Sequence, residues 1–442
     1  LRFLGEEAVE TGAGFSQVCE GDLSEYSHAR FQESRPYSRG ESVTAPTKKR
    51  NPLLPVRAPN PLPSARSRAA LGLAVGAAEG RFALQVCGDC GAVQYPPRDV
   101  CGNCLSDALK WRDVERGGVV SATTIARISS ELYFRAREPW RTGMVRLDRG
   151  PVVVAHLHRD CAVGDRVALG LQLDPAGRGA MFARPEAPHE EDYPKLRAFT
   201  ADPKFRNALI VSGRASTAGP LAEALFGAGA SRVFVGVAET WKPHFAPSRA
   251  EIVPLDETDP TSVSDLAGRF GAEVDILINN ADYFRPGGLI GSDASISRAA
   301  FETNCLGMMR LAAAFGPVMQ ARAAEAGRAA AAFVNIISVW CLSGPPEYGA
   351  YAATQAALRS LSHGLRAQLR PSGLRVMDVL TGPIDDEWRQ TIRPPKVAPA
   401  ALAAAVVAAL REGREEVVVG EVAKEIHAKW AEDPRLLRQE TL

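Results

Sequence analysis

No stretch of about 18 or more consecutive apolar residues occurs in the 442-residue chain, so no helix is expected to cross a bilayer. Excess charge is missing too: 52 lysines and arginines against 51 aspartates and glutamates leave a net +1. That balance gives no attraction for nucleic acid or an anionic membrane. Aromatic residues make up only 7 %, few for the stacking platforms of a single-strand binder. The opening "LRFLGEEAVE" has neither the basic start nor the continuous apolar stretch of a secretory signal. It does not open on methionine, and the true start is expected upstream.

What is present fits a soluble globular protein: 46 % apolar and 23 % charged residues, at a length that asks for two or three domains. Residues 1–66 are rich in Ser, Pro, Arg and Glu without periodicity. Their "APTKKRNPLLPVRAPNPLPSARSR" carries six prolines, which block helix interiors and central strands. An irregular or extended arm is expected there, with "KKR" a solvated patch. Residues 67–110 turn helical and enter a cysteine-rich segment. In 111–186, "GGVVSATTIAR", "TGMVRLDRGPVVVAHLHR" and "GDRVALGLQL" are short strands parted by Gly, Asp and Arg. They read as a small antiparallel barrel. The polar, proline-bearing "ARPEAPHEEDYPKLRAF" marks a linker, set at 187–205.

Four of the eight cysteines fall in paired CxxC units, the usual metal arrangement of a reducing compartment, and cytoplasm is the expected location. Cys87 and Cys90, followed by Cys101 and Cys104, can set four thiolates tetrahedrally around one Zn²⁺. Each knuckle ("CGDC", "CGNC") holds a glycine for the tight turn. Four cysteine ligands leave no open position, so the site is expected to be structural. Cys19, Cys161, Cys305 and Cys341 read as bystander thiols. His156 and His158 alternate along one expected strand face, where solvent exposure is the simpler reading than a second metal.

The residues "AAEGRFALQVCGDCG", "QYPPRDVCGNC", "GPVVVAHL" and "VGDRVAL" resemble the zinc-ribbon and OB-fold proteins that accompany thiolases in acyl-CoA metabolism, over roughly residues 67–185. The resemblance implies a module that binds acyl-CoA or docks onto a thiolase, and it does not imply catalysis.

From residue 206 to 442 the pattern becomes alternating strands and helices. "NALIVSG", "RVFVGV", "VDILINNA", "AAFVNIIS" and "LRVMDVL" are near-continuous apolar runs separated by alanine-rich helices. Such runs are the mark of a buried parallel sheet in a doubly wound α/β fold. "LIVSGRASTAGPLAEAL" stands where a phosphate-binding turn belongs, with Gly213 and Gly219 kept, Thr217 between them and Pro220 in the first helical turn.

This part resembles the short-chain dehydrogenase/reductase family over about 206–421: "SGRASTAG", "LDETD" with Asp256, "LINNAD" with Asn279, "FETNCLGMM" with Asn304, "NIISVWC" with Ser338, Tyr351 thirteen residues on, and "LTGPID". The resemblance implies NAD or NADP as cofactor and Gly213, Gly219, Asp256 and Asn279 as its contacts. It also implies that the Tyr351 hydroxyl is the acid or base, that Ser338 orients the substrate oxygen, and that Asn304 supports a water relay. The family's lysine, one helical turn beyond the tyrosine, lowers the tyrosine pKa and holds the ribose.

Here that position is Gln355. A tyrosine of pKa about 10 is a poor base without a nearby cation. Asp282 replaces the glycine of the family's N-N-A-G, and Thr217 narrows the phosphate turn. Three departures around one cofactor point to a retained fold without dehydrogenase chemistry. Glu239, in "VGVAETWKP", could bond a ribose diol and favour NAD, or be a solvated loop residue.

The expected role is a non-catalytic or weakly catalytic subunit that joins a thiolase or dehydrogenase partner in acyl-CoA metabolism. The alternatives are an active NAD(P)-dependent 3-hydroxyacyl-CoA dehydrogenase and a dinucleotide or CoA sensor. A dimer through residues 299–316 and 350–370 is expected from the family.

Overall fold

The computed structural model describes residues 68–128, 139–175, 177–187, 193–238, 249–290, 294–323, 330–435 and 437. The arm at 1–66, Cys19 and Glu239 lie outside the described residues. No described helix is long and apolar enough to cross a membrane.

Helix α1 (Leu71–Ala78) opens the described chain and buries Leu73 and Ala77 in the barrel core. Gly72 is bare because Trp111 packs against it: a Cβ there would fall 2.0 Å from the indole. Strands β1 (Ala83–Cys87), β2 (Val93–Gln94) and β3 (Leu109–Asp113) form an antiparallel sheet in the order β2-β1-β3.

Next come β4 (Gly117–Ala126), β5 (Trp140–Leu147), β6 (Val152–Leu157), β7 (Arg166–Leu173) and β8 (Gly179–Pro185), a closed barrel of order β4-β5-β6-β8-β7. Alternation builds its core: Val167, Leu169, Leu171 and Leu173 of β7 point inward against Val120, Val145 and Val153. One pairing departs from the all-antiparallel expectation, because β6 and β8 run parallel. Strand parity requires it, since five strands cannot alternate direction all the way round a closed ring.

After the short helix α2 (Pro194–Arg197) the parallel sheet begins. Its strands are β9 (Asn207–Ile210), β10 (Arg232–Val237), β11 (Glu251–Pro254), β12 (Ile276–Asn279), β13 (Ala332–Ser338), β14 (Arg375–Thr381) and β15 (Glu416–Val419). They lie in the order β11-β10-β9-β12-β13-β14-β15, with every pair parallel. Helices α3 (Ala218–Gly227) and α8 (Pro399–Glu412) cover one face, where Leu221, Leu225, Leu402 and Val406 meet Ile210 and Val235. Helices α4 (Pro260–Phe270), α6 (Met308–Ala323) and α7 (Gly349–Leu369) cover the other, where Leu266, Phe315 and Leu358 meet Leu209 and Phe333. Helix α5 (Ala294–Phe301) passes into α6 through a π turn at Glu302–Gly307, and α9 (Glu421–Glu432) ends the described fold. Both faces are covered, so the strands are mostly apolar, with Asn335, Arg375 and Asp378 as buried polar exceptions. Winding reverses between β9 and β12, which opens a crevice at their carboxyl ends.

The barrel is tied to this sheet by Arg375. Its buried guanidinium donates to the carbonyls of Leu173 (2.9 Å) and Phe199 (3.0 Å). Replacing it by alanine would leave both buried carbonyls without that donor. Arg375→Ala is expected to cost about 2–3 kcal/mol, checked by the midpoint of urea unfolding.

Candidate functional site

Two centres emerge. In the first, the Cys87, Cys90, Cys101 and Cys104 sulfurs all lie within 4.8 Å of one another, with Cys87–Cys104 and Cys90–Cys101 each at 3.6 Å. The two knuckles repeat one hydrogen-bond pattern. Gly91 N–H donates to the Cys87 carbonyl and Leu105 N–H to that of Cys101, both at 3.0 Å. The residue after each second cysteine is left-handed, Gly91 at φ 72° and Leu105 at φ 62°. The Ala92 backbone N–H first, and the Asn103 side chain second, pull the Cys90 thiol down to about 6. A tetrahedral S₄ set of this size fits zinc or iron.

The barrel histidines do not form the solvated face expected of them, because both pack into the barrel's end. The His156 Nδ1 accepts from Trp140 Nε1 at 2.8 Å, and the His158 ring is buried, 3.4 Å from Asp160. His363, Asp378 and Glu416 also converge, but Arg366 bonds Asp378 (2.7 Å) and Arg359 bonds Glu416 (3.3 Å), so guanidinium already balances those carboxylates. Burial pushes the Cys161 and Cys305 thiols up to about 11 and Cys341 to about 12. These are inert side chains.

The second centre is a cavity of about 270 Å³ at the carboxyl ends of β9, β10 and β12 to β14. Ser338 ends β13 and lines it, its Oγ accepting from Trp340 N–H at 3.3 Å. Tyr351, on the first turn of α7, lines it as well; its ring is buried edge-on against Phe284 (5.0 Å) and Trp340 (6.1 Å). The tyrosine hydroxyl donates to Asp282 Oδ2 at 3.1 Å. Gln355 follows one turn along the same helix face. Its Oε1 accepts from Ser338 N–H at 2.9 Å and its Nε2 lies 3.5 Å from Asp282 Oδ1.

Two residues that complete this end carry no motif. Arg389, in the turn Glu387–Arg389 beyond β14, ion-pairs with Asp282 and Asp386 and stacks over Phe284 at 4.5 Å. Thr354 receives the Asn304 amide at 2.9 Å and donates to the Tyr351 carbonyl at 2.7 Å. Asn304 sits in the π turn, buried, and its Oδ1 accepts from Tyr283 N–H at 2.7 Å. Its side chain therefore braces the Asp282 loop against α7. Burial first, and the Asp282 carboxylate second, push the Tyr351 phenol above its ordinary range.

At the opposite end Asp256 lines the cavity, its Oδ1 accepting from Thr258 N–H (2.8 Å) and Oγ1 (2.6 Å). Gly213 serves strand packing: a Cβ would meet Val237 at 2.7 Å and Val235 at 2.8 Å. Gly219 is buried in the first turn of α3. Thr217 is buried at the head of that helix, its Oγ1 3.3 Å from the Asn280 amide. Asn279 turns away from the cavity to Asn335 at 3.3 Å. Asn280 lines it instead, exchanging bonds with Ser212 N–H (2.8 Å) and carbonyl (2.9 Å) and so clamping β9 to β12 at the crevice. Strand alternation separates the two asparagines, and β12's boundary decides which one faces in.

A solved structure of a short chain dehydrogenase from Burkholderia cenocepacia J2315, in complex with NADP, is 31 % identical, with 54 % of this chain and 98 % of that one covered at a TM-score of 0.50. The chain belongs to the short-chain dehydrogenase family. The family profile "short chain dehydrogenase" matches residues 207–396. Ahead of it, "ChsH2, rubredoxin-like zinc ribbon domain" matches 74–110 and "ChsH2, C-terminal OB-fold domain" matches 111–172. Short-chain dehydrogenase PC-15 of Penicillium crustosum is 33 % identical over 149 residues, 32 % of this chain and 52 % of that protein. Short-chain dehydrogenase ptmH of Penicillium ochrochloron is 33 % identical over 146 residues, 32 % of this chain and 51 % of that protein. The chain thus spans about half the length of these curated relatives.

Set against the family's cofactor, the two ends of the cavity differ. Around Ser212, Arg214 and Asp256 the lining suits the adenosine half of a dinucleotide, and among the described residues Asp256 Oδ2 has no partner. At the tyrosine end the residues do not fit the family's chemistry. Gln355 is committed to Ser338 and Asp282, and the nearby guanidinium is paired with two carboxylates.

Proposed function

We propose that this short-chain dehydrogenase family member is a subunit of an acyl-CoA-processing assembly, and that its cleft does not transfer hydride, or does so only weakly. One observation carries the reading: the residue one turn beyond Tyr351 is a neutral glutamine, and the phenol's own hydrogen bond runs to a carboxylate. The carboxylate raises the tyrosine's proton affinity and the glutamine supplies no charge to lower it, where dehydrogenase chemistry needs it lowered. The ribbon and barrel, with zinc as the structural ion at Cys87, Cys90, Cys101 and Cys104, would bind acyl-CoA or dock a thiolase or dehydrogenase partner. The cytoplasm is the compartment that suits the reduced thiolates. Pairing of two chains would use residues 299–316 and 350–370, where Leu306 of the π turn (40 % exposed), Met309 of α6 (48 % exposed) and Ala353 and Ala356 of α7 are exposed.

The second reading, an active NAD(P)-dependent 3-hydroxyacyl-CoA dehydrogenase, draws support from the Asp256 end of the cavity. Calorimetry with NAD⁺ and NADP⁺, followed by an oxidation assay with 3-hydroxyacyl-CoA, separates the two. No oxidation is expected. Turnover that disappears in Tyr351→Phe would establish the second reading, and failure to co-purify with any thiolase or dehydrogenase subunit would remove the partner.

A further inference from the structure

We propose that the tyrosine end of the cleft catalyses proton transfer next to a thioester carbonyl, with Asp282 as the base and Tyr351 as the hydrogen-bond donor to the enolate oxygen. The inference rests on the acyl-CoA reading above but needs no nicotinamide. It turns the departures from dehydrogenase chemistry into a different use of the same cavity.

The geometry of Asp282 carries it. Its Oδ2 is anchored by the Tyr351 hydroxyl at 3.1 Å and by Arg389. Among the described residues its Oδ1 has only the Gln355 amide, at 3.5 Å. The side chain is 24 % exposed and lines the cavity, so lone pairs on Oδ1 remain for a substrate C–H. The carbonyl oxygen and α-carbon of a thioester are two bonds apart. When a thioester enters, the Tyr351 hydroxyl would turn its one proton from Asp282 Oδ2, which Arg389 still holds, to the carbonyl oxygen, while Asp282 Oδ1 meets the α-carbon.

Three neighbours favour the enolate. Arg389 places a guanidinium, 8 % exposed, beside the negative charge that develops. Phe284, Trp340 and Tyr348 stack around Tyr351, with Phe284–Tyr348 at 5.2 Å and Trp340–Tyr348 at 4.7 Å, which gives a wall suited to an unsaturated or aryl chain. The Tyr351 phenol, pushed up by burial and the carboxylate, keeps its proton at neutral pH, as a donor to an oxyanion must. Burial raises the proton affinity of the Asp282 carboxylate, which suits it to act as a base when such a donor is present.

For a 3-enoyl thioester the step balances without a co-reactant. Asp282 takes a proton from C2, and the C2–H electron pair passes into a dienolate whose oxygen accepts the Tyr351 hydrogen bond. The carboxylic acid then returns the proton to C4, which forms a C4–H bond and moves the double bond to C2–C3. Nothing is oxidised or reduced.

The test uses the full chain with its metal, no nucleotide, and 3-hexenoyl-CoA as probe. Conversion to the conjugated thioester is expected, with deuterium incorporated in heavy water. Asp282→Asn is expected to slow it by about 10²-fold or more, and Tyr351→Phe by about 10²–10³-fold. Unchanged metal content and melting midpoint would show that both variants fold. The proposal is overturned if the wild-type chain binds the probe and neither isomerises nor exchanges it, or if Asp282→Asn keeps the wild-type rate. Absence of any binding would remove the acyl-CoA reading along with it. Oxidation of 3-hydroxyacyl-CoA would overturn only the hydride conclusion.

Discussion

Removing the metal, or replacing Cys101 by serine, is expected to unfold the segment from Ala83 to Asp113 and to loosen α1 from the barrel. Apparent binding energies of structural zinc are about 10–16 kcal/mol, and in a module this small nothing else is of that size. The three-stranded sheet contains a strand of two residues, and Cys101 is wholly buried within the knuckles. So little apolar surface cannot offset the ordering of two loops. Loss of ellipticity with release of one zinc per chain, followed with a chromogenic chelator, would bear this out. A Cys101→Ser protein with the wild-type melting curve and no metal would reject the ribbon assignment. The parallel sheet should survive either treatment, because its core clusters contain none of these residues.

Gln355→Lys alone is expected to leave NAD(P)-dependent oxidation of 3-hydroxyacyl-CoA absent. The Gln355 amide already points at Asp282, so an ammonium there would pair with that carboxylate and the tyrosine would gain no net positive field. Combined with Asp282→Gly, the same lysine would face Tyr351 without a competing carboxylate and lower its pKa. The double variant is expected to exceed either single variant by at least about 10²-fold, a non-additive result typical of groups in one network. Activity in the single Gln355→Lys variant equal to that of the double would show that Asp282 is no obstacle. The same experiment bears on the isomerisation proposal from the other side, since Asp282→Gly removes its base.

Much of the architecture was legible before any coordinates. The paired CxxC units announced a four-thiolate site because ligand number and spacing are local properties of the chain. Near-continuous apolar runs announced the parallel sheet because a strand covered on both faces has no polar side to show. The barrel was legible as short alternating strands. Its parallel β6–β8 pair was not, because closure is a property of all five strands together.

At the cleft, Ser338, Tyr351 and Gln355 could be placed from their order and spacing, and Asp282 from its departure from glycine. Asn279 and Asn280 could not be told apart, since a single residue of strand phase exchanges their faces. Thr354 had no signal beyond its place on α7. Arg389 had none, because the chain after β14 is irregular and its reach depends on how the turn at Asp386 folds back.

The sequence by itself determined the four-cysteine cluster, the family and the missing cation at position 355, because each depends on residue identity at fixed spacing. Only the tertiary structure decided what stands where that cation would act. Tyr351 and Arg389 lie 69 and 107 residues beyond Asp282, and only the fold brings the three to one point in the cavity. There, proximity and burial make a tyrosine that keeps its proton and a carboxylate that faces the cavity.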